Sequence, residues 1–136
     1  MSSPSKEIPG LRATLDKLVY FHDKERLPSD APHAFIYFIT ITNFSDTTVT
    51  IRGRRWVLRD EDGHSHVIEG EGIVGKEPTL APGETFTYNS YHMTHCASIA
   101  TGSFHGIDRS GYPFHLRIPE IEMKIPPNSP EGSPHT

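Results

Sequence analysis

Gly70-Glu71-Gly72-Ile73-Val74-Gly75-Lys76-Glu77-Pro78 sets its glycines at G-x-G-x-x-G spacing. In a dinucleotide-binding unit such glycines end a strand and open a helix whose first amides hold a pyrophosphate. Here Pro78 pushes Glu77 out of helical dihedrals, and Thr79-Leu80-Ala81-Pro82-Gly83 adds a second proline and a further glycine. The doubly wound α/β reading therefore lacks its helix. What is left is a glycine loop that runs into a strand.

On both sides of that loop the pattern is short, alternating, and rich in β-branched and aromatic residues. Residues 33–44 put Phe35, Tyr37, Ile39 and Ile41 on one face and Ile36, Phe38, Thr40 and Thr42 on the other. That is the pattern of a central strand covered on much of both sides. Asn43-Phe44-Ser45-Asp46 supplies turn chemistry. Two segments follow, residues 47–52 with Val49 and Ile51, and residues 55–59 with Trp56 and Leu58 inward. Asp60-Glu61-Asp62-Gly63 signals a hairpin turn before residues 64–69. Beyond the glycine loop, residues 84–90 alternate Phe86 and Tyr88. Residues 103–108 and 112–118 read as a hairpin through Arg109-Ser110-Gly111, and residues 120–125 as a last strand set off by Pro119. Residues 11–22 stand apart. Leu11, Leu15, Leu18 and Val19 lie at helical spacing among good helix formers, so periodicity favours a helix over a strand across residues 13–21. Elsewhere seven or eight short strands indicate an all-β sandwich or barrel, with Trp56, the only indole, buried.

A chain of 136 residues suits one domain that buries roughly two-thirds of its unfolded surface. Thirteen basic and seventeen acidic side chains leave a formal charge of −4, which gives no global pull toward nucleic acid or acidic membranes. The lone cysteine, Cys96, fits a reducing cytoplasm. Met1-Ser2-Ser3-Pro4-Ser5-Lys6-Glu7 has no apolar h-region, and the longest apolar run, residues 34–39, is far short of the ~20 residues that span a bilayer. Residues 1–10 and 127–136, rich in Ser, Pro and Gly, are expected to be flexible tails around a domain at 11–126.

The ordered motifs of that domain are specific. Arg54-x-Trp56 is followed by Gly70-x-Gly72-Ile73-Val74-Gly75-x-x-Pro78-x-Leu80-x-Pro82-Gly83 and by Phe86-x-Tyr88-x-Ser90. Gly102-x-x-x-Gly106 and Ile118-Pro119-x-Ile121-x-Met123-x-x-Pro126 close the series. Together they resemble the ApaG family over about residues 11–126. The resemblance implies an immunoglobulin- or fibronectin-type-III-like sandwich of two antiparallel sheets, and a strand near residues 13–20 in place of the helix. Phe104 and Ile107 stand where the family commonly has methionine and tyrosine, apolar replacements that keep the fold but weaken a ligand role for those side chains. Family members occur as stand-alone bacterial proteins and as a domain of F-box proteins and of a polymerase-delta-interacting protein. This chain resembles the bacterial type, whose members are often named for cobalt and magnesium efflux and whose genes neighbour a diadenosine tetraphosphatase.

Three constellations are candidates for chemistry. The first is the glycine loop. Gly70, Gly72 and Gly75, with Lys76 and Arg54, would make an anion-binding nest for pyrophosphate or a nucleotide, although Glu69, Glu71 and Glu77 oppose an anion there. The bland reading is a tight crossing in which Ile73, Val74 and Leu80 plug the core. The second is histidine. His64 and His66 would share a strand face, and His92, His95 and Cys96 cluster in an expected loop, but neither group completes a familiar four-ligand set, so no metal site and no cofactor are expected. The third, Cys96 beside His95, does not make a nucleophile–base pair, because neighbours on a strand point apart. The acidic turn at 60–62 next to Gly63 reads as a hairpin, not an acid–base pair. The expectation is a non-enzymatic cytoplasmic binding module with an unidentified protein partner, homo-oligomers included, and with neither nucleic acid nor membrane as its target. Small-anion binding or divalent-cation handling are the alternatives.

Overall fold

The strands run β1 (Leu11–His22), β2 (His33–Asn43), β3 (Val49–Asp60), β4 (Ser65–Glu71), β5 (Thr79–Leu80), β6 (Thr85–Thr94), β7 (Ser98–Asp108) and β8 (Pro113–Met123). They come from a computed structural model that describes residues 4–23 and 25–127. Every strand pair is antiparallel. One sheet has the order β1-β2-β6; the other has β4-β3-β7-β8, with the short β5 pairing onto β3. The two pack face to face as a sandwich, as the alternating sequence implies. Ile39 and Ile41 from the first sheet, and Ile51, Phe104, Phe114 and Ile121 from the second, are fully buried between them. Trp56 is 1% exposed, in agreement with its place on an alternating strand.

Three β-bulges organise the strands, and each corrects a reading of the sequence. In β1 the register shifts between Leu15, opposite Ile39, and Lys17, opposite Phe38. The extra residue, Asp16, turns a spacing of two into one of three, so Leu11, Leu15 and Leu18 share the inward face and imitate a helical period. The segment is a strand. In β3 the extra residue is Arg52, between Ile51 and Gly53, and it switches the inward parity from Val49 and Ile51 to Trp56 and Leu58. The segments read separately at 47–52 and 55–59 are one strand. In β8, Ala100 faces Ile121 while Gly102 faces Ile118, so Pro119 and Glu120 lie across from Thr101 alone. Phe114, Leu116 and Ile118 thereby hand over to Ile121 and Met123 without ending the strand. Proline is tolerated there because a bulge on a terminal strand does not need its N–H.

Residues 4–10 contribute more than a tail. Lys6 accepts from the His115 amide (2.9 Å), donates its own amide to Pro113 O (3.2 Å), and pairs its ammonium with Asp108 at 2.7 Å. That contact is the first cause holding the Asp108 carboxyl below its ordinary range, followed by the Tyr112 amide. Ile8 joins the core. The free edge of β8 is partly closed by these contacts. Beyond Pro127 the expected C-terminal tail lies outside the described residues.

Candidate functional site

The glycine loop folds as a miniature hairpin. Ile73 and Lys76 exchange both backbone hydrogen bonds, at 2.7 and 2.9 Å. Val74 (φ 43°) and Gly75 (φ 79°) between them both have positive φ, the signature of a type I′ turn. Gly72 is also at positive φ (66°), and a Cβ there would sit 2.5 Å from Lys76 O. The amides of Gly72, Ile73 and Lys76 are spent on chain carbonyls, Gly72 N reaching Arg52 O at 2.6 Å. Arg54 does not point out toward an anion. It donates Nη1 to the carbonyls of Glu71 and Gly72, each at 3.0 Å, and its guanidinium lies against Gly70. It also faces inward to Tyr88, whose hydroxyl burial pushes far above its ordinary value, with Tyr37 adding to the shift and Arg54 opposing it. Ile73 and Leu80 are buried beneath, whereas Val74 and Lys76 are exposed. Arg52 and Arg55 approach Glu77 (4.0 Å) and Glu69 (2.9 Å). The five candidate residues are thus neighbours, but the contacts that gather them are those of a structural crossing.

The histidines sort differently from the sequence expectation. His92 is not in a loop. It is an inward residue of β6, 5% exposed, with ring centroids 4.8 Å from Tyr37 and 4.8 Å from Trp56. Burial lowers its pKa to about 4, so the ring is neutral. His64 and His66 part company: His64 pairs with Asp62 at 3.0 Å and His66 Nε2 donates to Asp60 Oδ2 at 2.8 Å.

His95 and Cys96 gain acidic neighbours that their spacing in the chain conceals. The β3–β4 turn closes through Asp60 N to His64 O (2.8 Å) and Gly63 N to Asp60 O (3.0 Å). Glu61 N then donates to Ala97 O at 3.0 Å, which ties that turn to the one between β6 and β7. As a result Asp60, Asp62, His95 and Cys96 each present one ligand-capable atom, all within 4.8 Å of one another. The Asp60 carboxylate is buried, and Ser98 Oγ donates to it as well. Asp62 and His95 hydrogen-bond at 2.8 Å, which raises the His95 pKa. The Asp62 carboxyl is held well below its usual range, first by the His64 amide and then by His95. Burial, then the charge of Asp60, pushes the Cys96 thiol up, so it is no activated nucleophile. A cavity of about 420 Å³ adjoins the cluster, lined by Asp60, His66, Thr94 and His95 among others.

The third feature is a surface. On the outer face of the β1-β2-β6 sheet the register aligns Val19, Ile36 and Tyr91 in one row and Phe21, Ala34 and Met93 in the next. Phe38 sits one row away between Lys17 and Asn89. Tyr91 is 58% exposed, and Phe21 and Met93 are each 40% exposed. The other half of the same face is polar, where Asp16 accepts from Thr14 and Thr40. The sequence reading of β2 as covered on much of both sides holds: its inner face is buried, and on its outer face Ala34 is buried while Ile36 and Phe38 are partly covered.

Two packed antiparallel sheets with a glycine crossing and no closed barrel define a small β-sandwich domain. The ApaG domain matches residues 23–107. Curated relatives extend the match, each bearing the name Protein ApaG. That of Methylococcus capsulatus is 37% identical over 116 residues, covering 81% of this chain and 87% of the relative. That of Bdellovibrio bacteriovorus is 34% identical over 120 residues, covering 88% and 93%. The chain belongs to the ApaG family. Among solved structures, one described as an ApaA protein of Bordetella pertussis superimposes with a TM-score of 0.70 at 29% identity, covering 90% of this chain and 98% of that one. A structural-genomics target solved by X-ray diffraction reaches a TM-score of 0.78 at 25% identity, covering 88% and 89%. Phe104, a departure from the family pattern, is fully buried against Tyr88 and so serves the core.

Proposed function

We propose that this chain is a non-enzymatic binding module of the cytoplasm whose partner is another protein, docked on the apolar half of the outer β1-β2-β6 face. The observation that carries the reading is the row structure of that face. Val19, Phe21, Ile36, Phe38, Tyr91 and Met93 form a contiguous apolar surface, and aromatic and methionine side chains are the types enriched where proteins meet. Isolated exposed apolar residues would carry no such meaning. The segregation of threonines and Asp16 to the other half gives the patch a polar rim. The non-enzymatic reading is supported by the raised thiol pKa of Cys96 and by a glycine loop whose Gly72, Ile73 and Lys76 amides serve the fold.

The test is photo-crosslinking from position 91 in native cytoplasm, compared with Tyr91→Lys/Met93→Lys protein. A discrete crosslinked partner that the double variant loses supports the reading. Crosslinks that survive the double variant, or none above background, overturn it.

A further inference from the structure

We propose that the two turns at one end of the sandwich form a binding site for a single zinc-class divalent ion, with Asp60, Asp62, His95 and Cys96 as its ligands. The donors are two carboxylate oxygens, one imidazole nitrogen and one thiolate sulfur. That mixture suits a borderline-soft, tetrahedral cation and suits Mg²⁺ or Ca²⁺ poorly, since those ions take six or more oxygens. A tetrahedral zinc with its ordinary bond lengths holds its donors roughly 3.3–3.8 Å apart. The four atoms already lie within 4.8 Å of one another, so only a small contraction is needed. Asp62 and His95 are partly exposed, and their 2.8 Å hydrogen bond opens as the ion takes the place of the shared proton, while Asp62 Oδ1 keeps the His64 amide.

The scaffold around these donors has the character of a built site. The Glu61–Ala97 backbone hydrogen bond fixes the turns to each other before any ion arrives. The Asp60 side chain is 2% exposed and is oriented by Ser98 Oγ and His66 Nε2, the outer hydrogen bonds that aim a ligating carboxylate. A second, separate observation lies deeper. Thr94 is 5% exposed and lines the cavity that Asp60, His66 and His95 border, and its hydroxyl has no hydrogen-bond partner among the described residues. A buried hydroxyl left without a partner is costly, so the wall beside the four donors carries an unmet polar demand. None of the four donors is among the residues of the protein-docking face.

Untagged, full-length protein titrated with Zn²⁺ should bind one ion per chain and retain it through dialysis against metal-free buffer. The His95→Ala and Cys96→Ala variants should each weaken binding about tenfold or more, and His66→Ala should do so by roughly 10–100-fold through Asp60. The melting point of the ion-free His95→Ala and Cys96→Ala proteins should stay near that of the parent, because both side chains are partly exposed. Co²⁺ used as a probe should give tetrahedral d–d absorption with a thiolate charge-transfer band that Cys96→Ala removes. Mg²⁺ should not compete. Absence of stoichiometric zinc, or undiminished affinity in a His95→Ala/Cys96→Ala double variant, would overturn the assignment.

Discussion

The neutral imidazole of His92, held between Tyr37 and Trp56, couples stability to pH. Its pKa is lowered to about 4 from an ordinary 6.5, by burial. Between those values the unfolded chain binds the proton and the folded chain does not, so acidification favours unfolding. The contribution is complete above pH 6.5 and is lost as pH falls to about 4, a swing on the order of 3 kcal/mol. His95 has the opposite sign, its pKa being raised by Asp62, but it is exposed and contributes little. Urea denaturation across pH 4–7 should show the acid loss, and His92→Phe should flatten it. An unchanged slope would place the proton elsewhere. Residues of the glycine loop make a second test. Gly72→Val should cost about 2 kcal/mol or more, from positive φ and the Lys76 carbonyl 2.5 Å from the new Cβ. Pyrophosphate or ATP should leave the melting temperature unchanged. A true anion site would instead add roughly 2.7 kcal/mol at ~100 times the dissociation constant, and Lys76→Ala would abolish it.

At the scale of elements, the bulges set what the sequence could and could not reveal. Alternation within β2, the hairpin at Asp60–Gly63 and the glycine crossing are local, and they were legible because each needs only neighbouring residues. Asp16, Arg52 and the Pro119–Glu120 pair each insert one residue, which reverses the parity of a strand midway. A period of two interrupted once looks like a helix in β1 and like two strands in β3 and β8. The Asp60–Asp62–His95–Cys96 cluster was hidden for a different reason, since pairing between turns 33 residues apart, as in the Asp62–His95 contact, leaves no trace in spacing. The turn of the glycine loop carries its own prediction. Val74 is β-branched, exposed and at φ 43°, where a type I′ turn favours Asn before Gly. Val74→Asn should therefore stabilise the domain by about 1 kcal/mol in urea unfolding. A loss of stability would mean that Val74 packs in a way its exposure denies.

For the whole molecule, the two sheets divide the work unequally. The five-stranded sheet bears the glycine crossing, and Lys6 covers part of its β8 edge, whereas the three-stranded sheet presents an apolar half-face to the outside. A sandwich needs only its inner faces to fold, so an apolar outer face adds nothing to the core that Ile39, Ile41 and Trp56 already build. That separation makes the Tyr91→Lys/Met93→Lys variant a clean instrument. Both side chains are at least 40% exposed, and substitutions at such positions usually change stability by within about 0.5 kcal/mol each. The variant should keep the parent's β-sheet circular dichroism, its buried Trp56 fluorescence and, within a degree or two, its dilute-solution melting point. What it should lose is association. If the partner is a second copy, the parent's melting point rises with protein concentration and the variant's does not, because a partner that binds only the folded state stabilises it by mass action. If the partner is a different protein, both melting points are flat with concentration and the difference appears only in the crosslinked partner. A variant that unfolds on its own would show that this face is covered from within the chain, and the docking reading would fall with it.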